Sequence, residues 1–146
     1  MVIRKAYKIE LNPTKKQVHS FYQHCAACCK VWNFYLALRK DAWEKEKKSL
    51  YAMGKGESQK VTAFKAEHPW LYEVASTPLI QCLRDQDQAM KHFFRRVKLV
   101  QKGLLSPREA GYPRFKSVRR DKDRGFRFTG KEIKIDNGKI YFPRIG

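Results

Sequence analysis

Residues 12–40 read NPTKKQVHSFYQHCAACCKVWNFYLALRK. Thr14-Lys15-Lys16-Gln17 has the form of a capping box: the Thr hydroxyl accepts from a first-turn N–H, and the Gln side chain reaches back to the cap. Behind it Val18, Phe21, Tyr22, Cys25, Cys28, Cys29, Trp32, Tyr35 and Leu36 recur at helical spacing and form one apolar stripe. The spacing predicts a long helix from Thr14 to about Ser49, with room for a bend near Cys25–Cys29. Arg39, Lys40, Lys45, Lys47 and Lys48 crowd its end, where cations suit the helix dipole.

On the N-terminal side, Asn12-Pro13 closes a different pattern. Ile3, Tyr7, Ile9 and Leu11 alternate at period two, with Lys5 as the exception, which predicts a strand over 2–11. On the C-terminal side, Met53-Gly54-Lys55-Gly56 reads as a loop. A short helix over about 58–67 should follow and stop before Pro69, and Trp70-Leu71-Tyr72 is an apolar anchor. Thr77-Pro78 predicts a second helix start, with Thr as cap and Pro at the first helical position. Leu79, Leu83, Met90, Phe93, Phe94 and Val97 make its stripe, and Gly103 and Pro107 end the region. Ile133-Lys134-Ile135 and Ile140-Tyr141-Phe142 flank Asp136-Asn137-Gly138-Lys139, and Asn-Gly favours a type I′ hairpin turn. Phe126 and Phe128 read as core strand residues, with Arg127 facing out between them.

The chain has 146 residues, of which 32 are Lys or Arg and 14 are Asp or Glu, for a formal net charge of +18. Self-repulsion of that size destabilises a compact state unless a polyanion neutralises it. Nucleic acid fits first and an anionic membrane surface second. No apolar run approaches the roughly 20 residues of a membrane helix. The opening MVIRKAYKIEL is charged and alternating, unlike a secretory signal. The four cysteines are therefore expected to be reduced thiols in the cytoplasm.

Catalytic and metal-binding patterns are sparse. His24-Cys25-x-x-Cys28-Cys29 has the look of a metal or redox site, but its cysteines sit on the apolar helix stripe. A structural zinc site also wants four ligands, and Cys82 stands alone in another helix. Asp85 and Asp87 are two apart on a helix and point about 200° from one another, so they cannot chelate one ion. Asp121 and Asp123 lie among cations and read as loop solvation. His19, His24, His68 and His92 show no zincin spacing, and no glycine-rich phosphate loop is present. No catalytic residue, metal or cofactor is expected.

The segment GYPRFKSVRRDKDRGFRFTG, residues 111–130, interleaves cations with aromatics. Cations neutralise phosphates and dominate affinity, while aromatics among them can stack on bases. Tyr112, Arg114, Phe115 and Lys116 offer both contacts, with Arg119, Arg120 and Arg127 nearby. The second candidate is the start of the helix at Thr77. Ser76 and Thr77 are short hydrogen-bonding residues at a helix N-terminus, where free N–H groups suit phosphate. Gln81 and Arg84 are expected on its exposed side, with Arg95 and Arg96 further along. Plain capping is the alternative reading of Ser76 and Thr77.

Several stretches together resemble the TnpB (OrfB) proteins, the RNA-guided nucleases encoded by transposons. They are RKAYKIELNPTKKQ, VWNFYLALRKDAW, WLYEVASTPLIQCLRDQDQAMKHFFRR, GYPRFKS and FRFTGKEIKIDNGKIYFPRIG, in family order over nearly the whole chain. The resemblance implies an α+β fold in which a helical recognition insertion interrupts a small, partly incomplete wedge-like β-barrel. Residues 1–11 and 125–146 would be barrel strands, 12–105 the helical insertion, often described as a helix-turn-helix, and 106–124 a basic loop. It also implies a guide RNA and a short target-adjacent DNA motif as partners, with no membrane. Cutting in the family belongs to a RuvC-like nuclease followed by a zinc ribbon. The family passes into that nuclease where this sequence reaches Ile145-Gly146, and its acidic triad and paired CxxC motifs are absent here. By match to the family, Tyr51, Ser76 and Thr77 are DNA-side candidates. Arg4, Lys5, Tyr112, Arg114, Phe115, Lys116 and Arg127 are RNA-side or backbone candidates. The chain departs from the family at Leu79-Ile80, where members commonly carry Leu-Gln.

The residues thus point to a nucleic-acid-binding portion of a TnpB-like protein, cytoplasmic and nucleoid-associated, without catalysis of its own. Two alternatives stay open: one part of a split endonuclease completed by another chain, and a stand-alone basic RNA-binding module.

Overall fold

The computed structural model describes residues 1–121 and 125–146. Lys122, Asp123 and Arg124 fall outside the described residues, so the loop role expected of Asp123 is outside them too. Helix α1 spans Lys15–Glu46. Its capping box forms as the sequence predicts: Gln17 N donates to Thr14 Oγ1 at 3.3 Å, and Thr14 N donates to Gln17 Oε1 at 2.9 Å. The helix continues through Cys25–Cys29 without a break and ends at Glu46, short of Ser49. Lys47 there turns left-handed at φ 52°. The N–H groups of Lys47 and Lys48 fold back onto Trp43 O and Ala42 O at 3.0 and 3.2 Å. This left-handed closure satisfies two carbonyls of the last turns and redirects the chain.

Helix α2 (Glu57–Glu67), a 3₁₀ turn (Pro69–Tyr72) and helix α3 (Ser76–Gln101) follow. Contacts between α1 and α3 advance together along both: His24 with Ala75, Cys28 with Cys82, Trp32 with Gln86, Arg39 with Asp87. The two helices therefore run parallel, and residues 47–75 carry the chain back along them. That return is not loose. Phe64 of α2 stacks on Phe34 at 3.9 Å, and Leu71 is fully buried. Ala27, Val31, Tyr35 and Leu36 of α1 meet Leu79 and Leu83 of α3 in the core.

A polar cluster sits inside this packing. Arg39, which the sequence counts among the cations crowding the helix end, is only 3% exposed. Its guanidinium donates to the Gln86 Oε1 at 2.9 Å, to Leu50 O, and to Asp87 Oδ1. It also lies 4.9 Å from the Tyr35 ring centroid. Asp87 in turn accepts from the N–H groups of Ala52 and Met53 at 2.7 and 3.0 Å. Gln86 completes the set by donating to Trp32 O at 2.8 Å. The angular separation of Asp85 and Asp87 has a physical outcome: Asp87 faces Arg39 in the core, and Asp85 faces solvent. Among the described residues no buried side-chain polar atom lacks a partner.

After α3 and a 3₁₀ turn at Pro107–Ala110, the chain ends in an antiparallel hairpin, β1 (Lys134–Asp136) and β2 (Lys139–Tyr141). Lys134 pairs with Tyr141, Ile135 with Ile140 and Asp136 with Lys139. Asn137 and Gly138 both take positive φ, 46° and 71°, as a primed turn requires. Ile133 and Phe142 lie just outside the paired residues. Residues 1–11, expected as a strand, are in no helix or strand, and Ile3, Tyr7 and Ile9 are exposed. A strand needs a hydrogen-bonded neighbour, and among the described residues none reaches this segment.

The buried cluster generates a test. Replacing Asp87 with Ala strips the buried Arg39 guanidinium of its counter-charge and leaves the Ala52 and Met53 N–H groups without their acceptor. The expected loss is about 3–5 kcal/mol of unfolding free energy, read from urea denaturation. A loss under about 1 kcal/mol, the scale of an exposed ion pair, would show that the cluster is not what joins the return segment to the helices.

Candidate nucleic-acid interface

The basic segment is held by its backbone. Trp32 Nε1 of α1 donates to Arg114 O at 2.9 Å. Asn33 makes a two-way pair with Lys116, Nδ2 donating to its O and Oδ1 accepting from its N, both at 2.8 Å. Arg96 of α3 donates from Nε to Ala110 O at 2.7 Å and from Nη2 to Gly111 O at 3.3 Å. Three side chains from two helices thus grip main-chain groups of residues 110–116. The side chains of Arg114, Phe115 and Lys116 are left at the surface, as are Arg119 and Arg120 further on. Lys116 Nζ rests 3.9 Å from the Trp32 ring centroid, and Lys40 Nζ rests 4.7 Å from that of Phe115. Cations over ring faces are positioned ammonium groups, not freely waving ones.

Several expected site residues have other duties. Arg96 is a clamp on carbonyls, as just described. Tyr112 is half-buried, edge-on to Phe93 at 5.1 Å, and burial pushes its hydroxyl pKa up. Gln81, expected on the exposed side of α3, is buried. Thr77 is not the cap of α3. The N-cap is Ala75, and Thr77 lies in the first turn. Its hydroxyl donates to Glu132 Oε1 at 2.5 Å, while Thr129 donates to Glu132 Oε2 at 3.1 Å. The Thr77 bond holds the Glu132 carboxyl below its ordinary pKa, with the Thr129 bond helping. Ser76 remains exposed at the helix start, and Tyr51 is exposed in the turn after α1. Arg4 and Lys5 are exposed on the extended N-terminal segment.

Residues 125–132 lie against α1 and α3 without forming a strand. Phe126 stacks on His24 at 5.1 Å, and Phe128 on Phe142 at 5.7 Å. Both rings are half-buried and Arg127 faces out between them, so the alternation predicted there holds while the strand does not. Arg127 Nη2 meets Asp85 Oδ1 at 2.5 Å, with both side chains more than half exposed. Such a pair contributes little to stability and leaves the guanidinium available.

One feature of α3 escapes a reading of its apolar residues alone. Ser76, Ile80, Arg84, Gln88, Lys91, Arg95 and Lys98 are all exposed and recur every three or four residues. They form one solvent face along the helix, carrying Arg84, Lys91, Arg95 and Lys98. The apolar stripe on the opposite side is legible in the sequence; seeing the cations as a stripe requires the same period applied to charge.

In the cysteine-rich turn of α1, Cys28 is core, whereas Cys25 and Cys29 are half-buried. Cys28 and Cys82 are buried, and Cys82 Sγ donates to Cys28 O at 3.3 Å. The Cys82 sulfur beside it and burial push the Cys28 thiol up, so it stays protonated. Among the described residues no group of three or more His, Cys, Asp or Glu is gathered for a metal ion. His24 is buried between two backbone groups: Nε2 accepts from Ala75 N at 3.1 Å, and Nδ1 faces Ser20 O at 2.8 Å. The acceptor role of Nε2 fixes the proton on Nδ1 and the ring as neutral.

Residues 1–48 match the family model of the helix-turn-helix domain of OrfB proteins of the IS605 type. In this chain that region comprises the extended N-terminus and α1 with its cap. The chain is also 31% identical over 144 residues, 97% of its length, to InsQ of Escherichia coli (strain K12). The chain is thus similar to OrfB proteins, through a family model over its first third and through one relative over nearly its whole length. Its sequence spans about a third of InsQ, 32% of that protein's length. InsQ is named as an RNA-guided DNA endonuclease. Among the described residues, no helix is long and apolar enough to cross a membrane.

Burial lowers the pKa of His24, outweighing the opposing effect of its bond to Ser20. The unfolded chain takes up that proton near pH 6.5, whereas the folded ring resists it until lower pH. Stability should therefore fall as pH drops below about 6.5 and level off once pH is below the folded value. Urea midpoints measured from about pH 7.5 to 5 should drop less in His24→Gln than in wild type. An equal drop would assign the acid sensitivity to other groups.

Proposed function

We propose that this chain is a nucleic-acid-binding portion of a TnpB-like protein, engaging DNA and a guide RNA through cationic surfaces built on α1 and α3. The observation that carries the reading is charge that stays uncompensated in the fold. Between described residues, ion pairs engage Arg39, Lys45, Lys60 and Arg127, out of 32 Lys and Arg in the chain. Only the first of these pairs is buried. The exposed α3 stripe and the clamped segment at 110–116 present part of the remaining charge, Arg84, Lys91, Arg95, Lys98, Arg114 and Lys116, on rigid backbone. Rigid cations lose less conformational freedom on meeting phosphate than cations on a loose loop. The helix-turn-helix description of the matched family supports DNA as one partner. The name of InsQ supports a guide RNA as the other.

In this reading the hairpin and residues 1–11 are strands of a wedge-like β-barrel whose further strands come from other sequence. That accounts for the exposure of Ile3, Tyr7, Ile9 and Ile135, which a neighbouring strand would cover. Strand cleavage, where it occurs, belongs to a nuclease region distinct from these residues. Phosphate neutralisation supplies affinity here, and any sequence preference comes from the start of α3, where Ser76 is exposed.

Two measurements test the proposal. Binding to duplex DNA should weaken steeply with salt. A log–log slope of about −5 would correspond to some six neutralised phosphates, and a flat response would discard the phosphate-driven mode. Arg114→Ala with Lys116→Ala should lower affinity for unrelated sequences alike and flatten that slope by about 1–2. A loss confined to one sequence would mean that these residues read bases.

A further inference from the structure

Between the C-terminal halves of α1 and α3 lies an open cavity of about 620 Å³. Phe93, Phe94, Tyr112 and Trp43 supply ring walls. Phe93 is already packed, 5.3 Å from Phe94 and 5.1 Å from Tyr112. Trp43 differs. It is 51% exposed and pairs with no other ring among the described residues. Its indole therefore presents a large stacking surface beside a hollow big enough for a small ligand. An exposed apolar pocket of this kind on a charged chain marks a binding site more often than idle surface.

The charge around the pocket names the class of ligand. Lys40 and Lys48 line it, and Glu44 is the single carboxylate among its lining residues. Lys47 Nζ lies 5.9 Å from the Trp43 ring centroid, and Lys40 Nζ lies 5.7 Å from that of Tyr112. Arg39, at the inner end, is committed to Asp87. A flat aromatic face flanked by ammonium groups matches a nucleobase with phosphates on either side. A base inside a duplex is stacked on its neighbours and cannot enter a pit, whereas an unpaired base can. An amphipathic protein helix would fill the apolar walls, but the cationic rim favours a polyanion.

We propose that this pocket receives an unpaired base of single-stranded DNA, stacked on Trp43, with the adjoining phosphates met by Lys40, Lys47 and Lys48. The inference rests on the nucleic-acid-binding function proposed above and adds the strand state that the site selects.

The test uses the full 146-residue chain and three labelled probes matched in phosphate number: single-stranded oligothymidine, its abasic counterpart, and a duplex. Trp43→Ala should weaken oligothymidine binding about tenfold and leave the other two unchanged. Trp43→Phe, which keeps a stacking face, should recover most of the loss. Unaltered melting temperatures establish that both variants are folded, as the exposure of Trp43 leads one to expect. If Trp43→Ala binds oligothymidine as wild type does, the base pocket is wrong, and salt-sensitive binding of all three probes would leave the broader function standing. Equal weakening on the abasic strand also overturns the pocket, because it makes Trp43 a contributor to phosphate binding. A pocket that serves a protein partner would appear as no change with any probe. Failure of wild type to bind all three would remove the broader function and this site with it.

Discussion

The buried pairing of Arg39 with Asp87 is the constraint on which the rest of the structure depends. Two parallel helices cannot be joined by a short turn, so the chain must travel back along their length between them. That return segment is stable only if something fixes its start. Arg39 holds the carbonyl of Leu50, and Asp87 holds the N–H groups of Ala52 and Met53. One residue from each helix therefore grips the same stretch of main chain from opposite polarity. A buried charge of either sign alone would be costly; together, with Gln86 completing the set, they are satisfied.

With α1 and α3 set in register, the surfaces relevant to binding follow. Trp32 and Asn33 stand on α1 where residues 114–116 can pair with them, and Arg96 on α3 catches the carbonyls just before. The segment is thereby an extended strap with its main chain turned to the helices and its cations turned outward. Helical rigidity is transmitted to it through three side chains. Trp32 has a double part, donating from its indole N–H to Arg114 O while its ring face carries the Lys116 ammonium. The rings of Phe126, His24, Phe21, Phe128 and Phe142 then tie the following segment to α1.

The two β portions contrast with this helical body. The hairpin closes on itself through Asn137-Gly138, but its two strands leave outer edges unpaired and Ile135 exposed. Residues 1–11 carry a strand-like alternation with nothing to pair with among the described residues. The helices bury their apolar stripes against each other, whereas the strand segments keep theirs open.

Local chemistry was enough to read much of this from sequence. The Thr14–Gln17 capping box, the stripe of α1, the core placement of Cys28 and the Asn137-Gly138 turn each depend on residues within a turn or two of one another. The alternation of Phe126, Arg127 and Phe128 was legible for the same reason. Only tertiary structure decided the rest. Arg39 looked like one more helix-end cation because its partner lies in another helix. Thr77 looked like a cap because Glu132, which takes its hydroxyl, is far along the chain. Gln81 and Tyr112 looked available because nothing nearby in sequence covers them. Residues 2–11 carry the pattern of a strand and stay unpaired because a strand, unlike a helix, makes its hydrogen bonds to another segment. The sequence by itself thus determined which segments are helix and which are turn, through contacts that are short-range. The fold decided which polar side chains are spent on holding the molecule together, because that depends on partners brought close only when α1 and α3 meet.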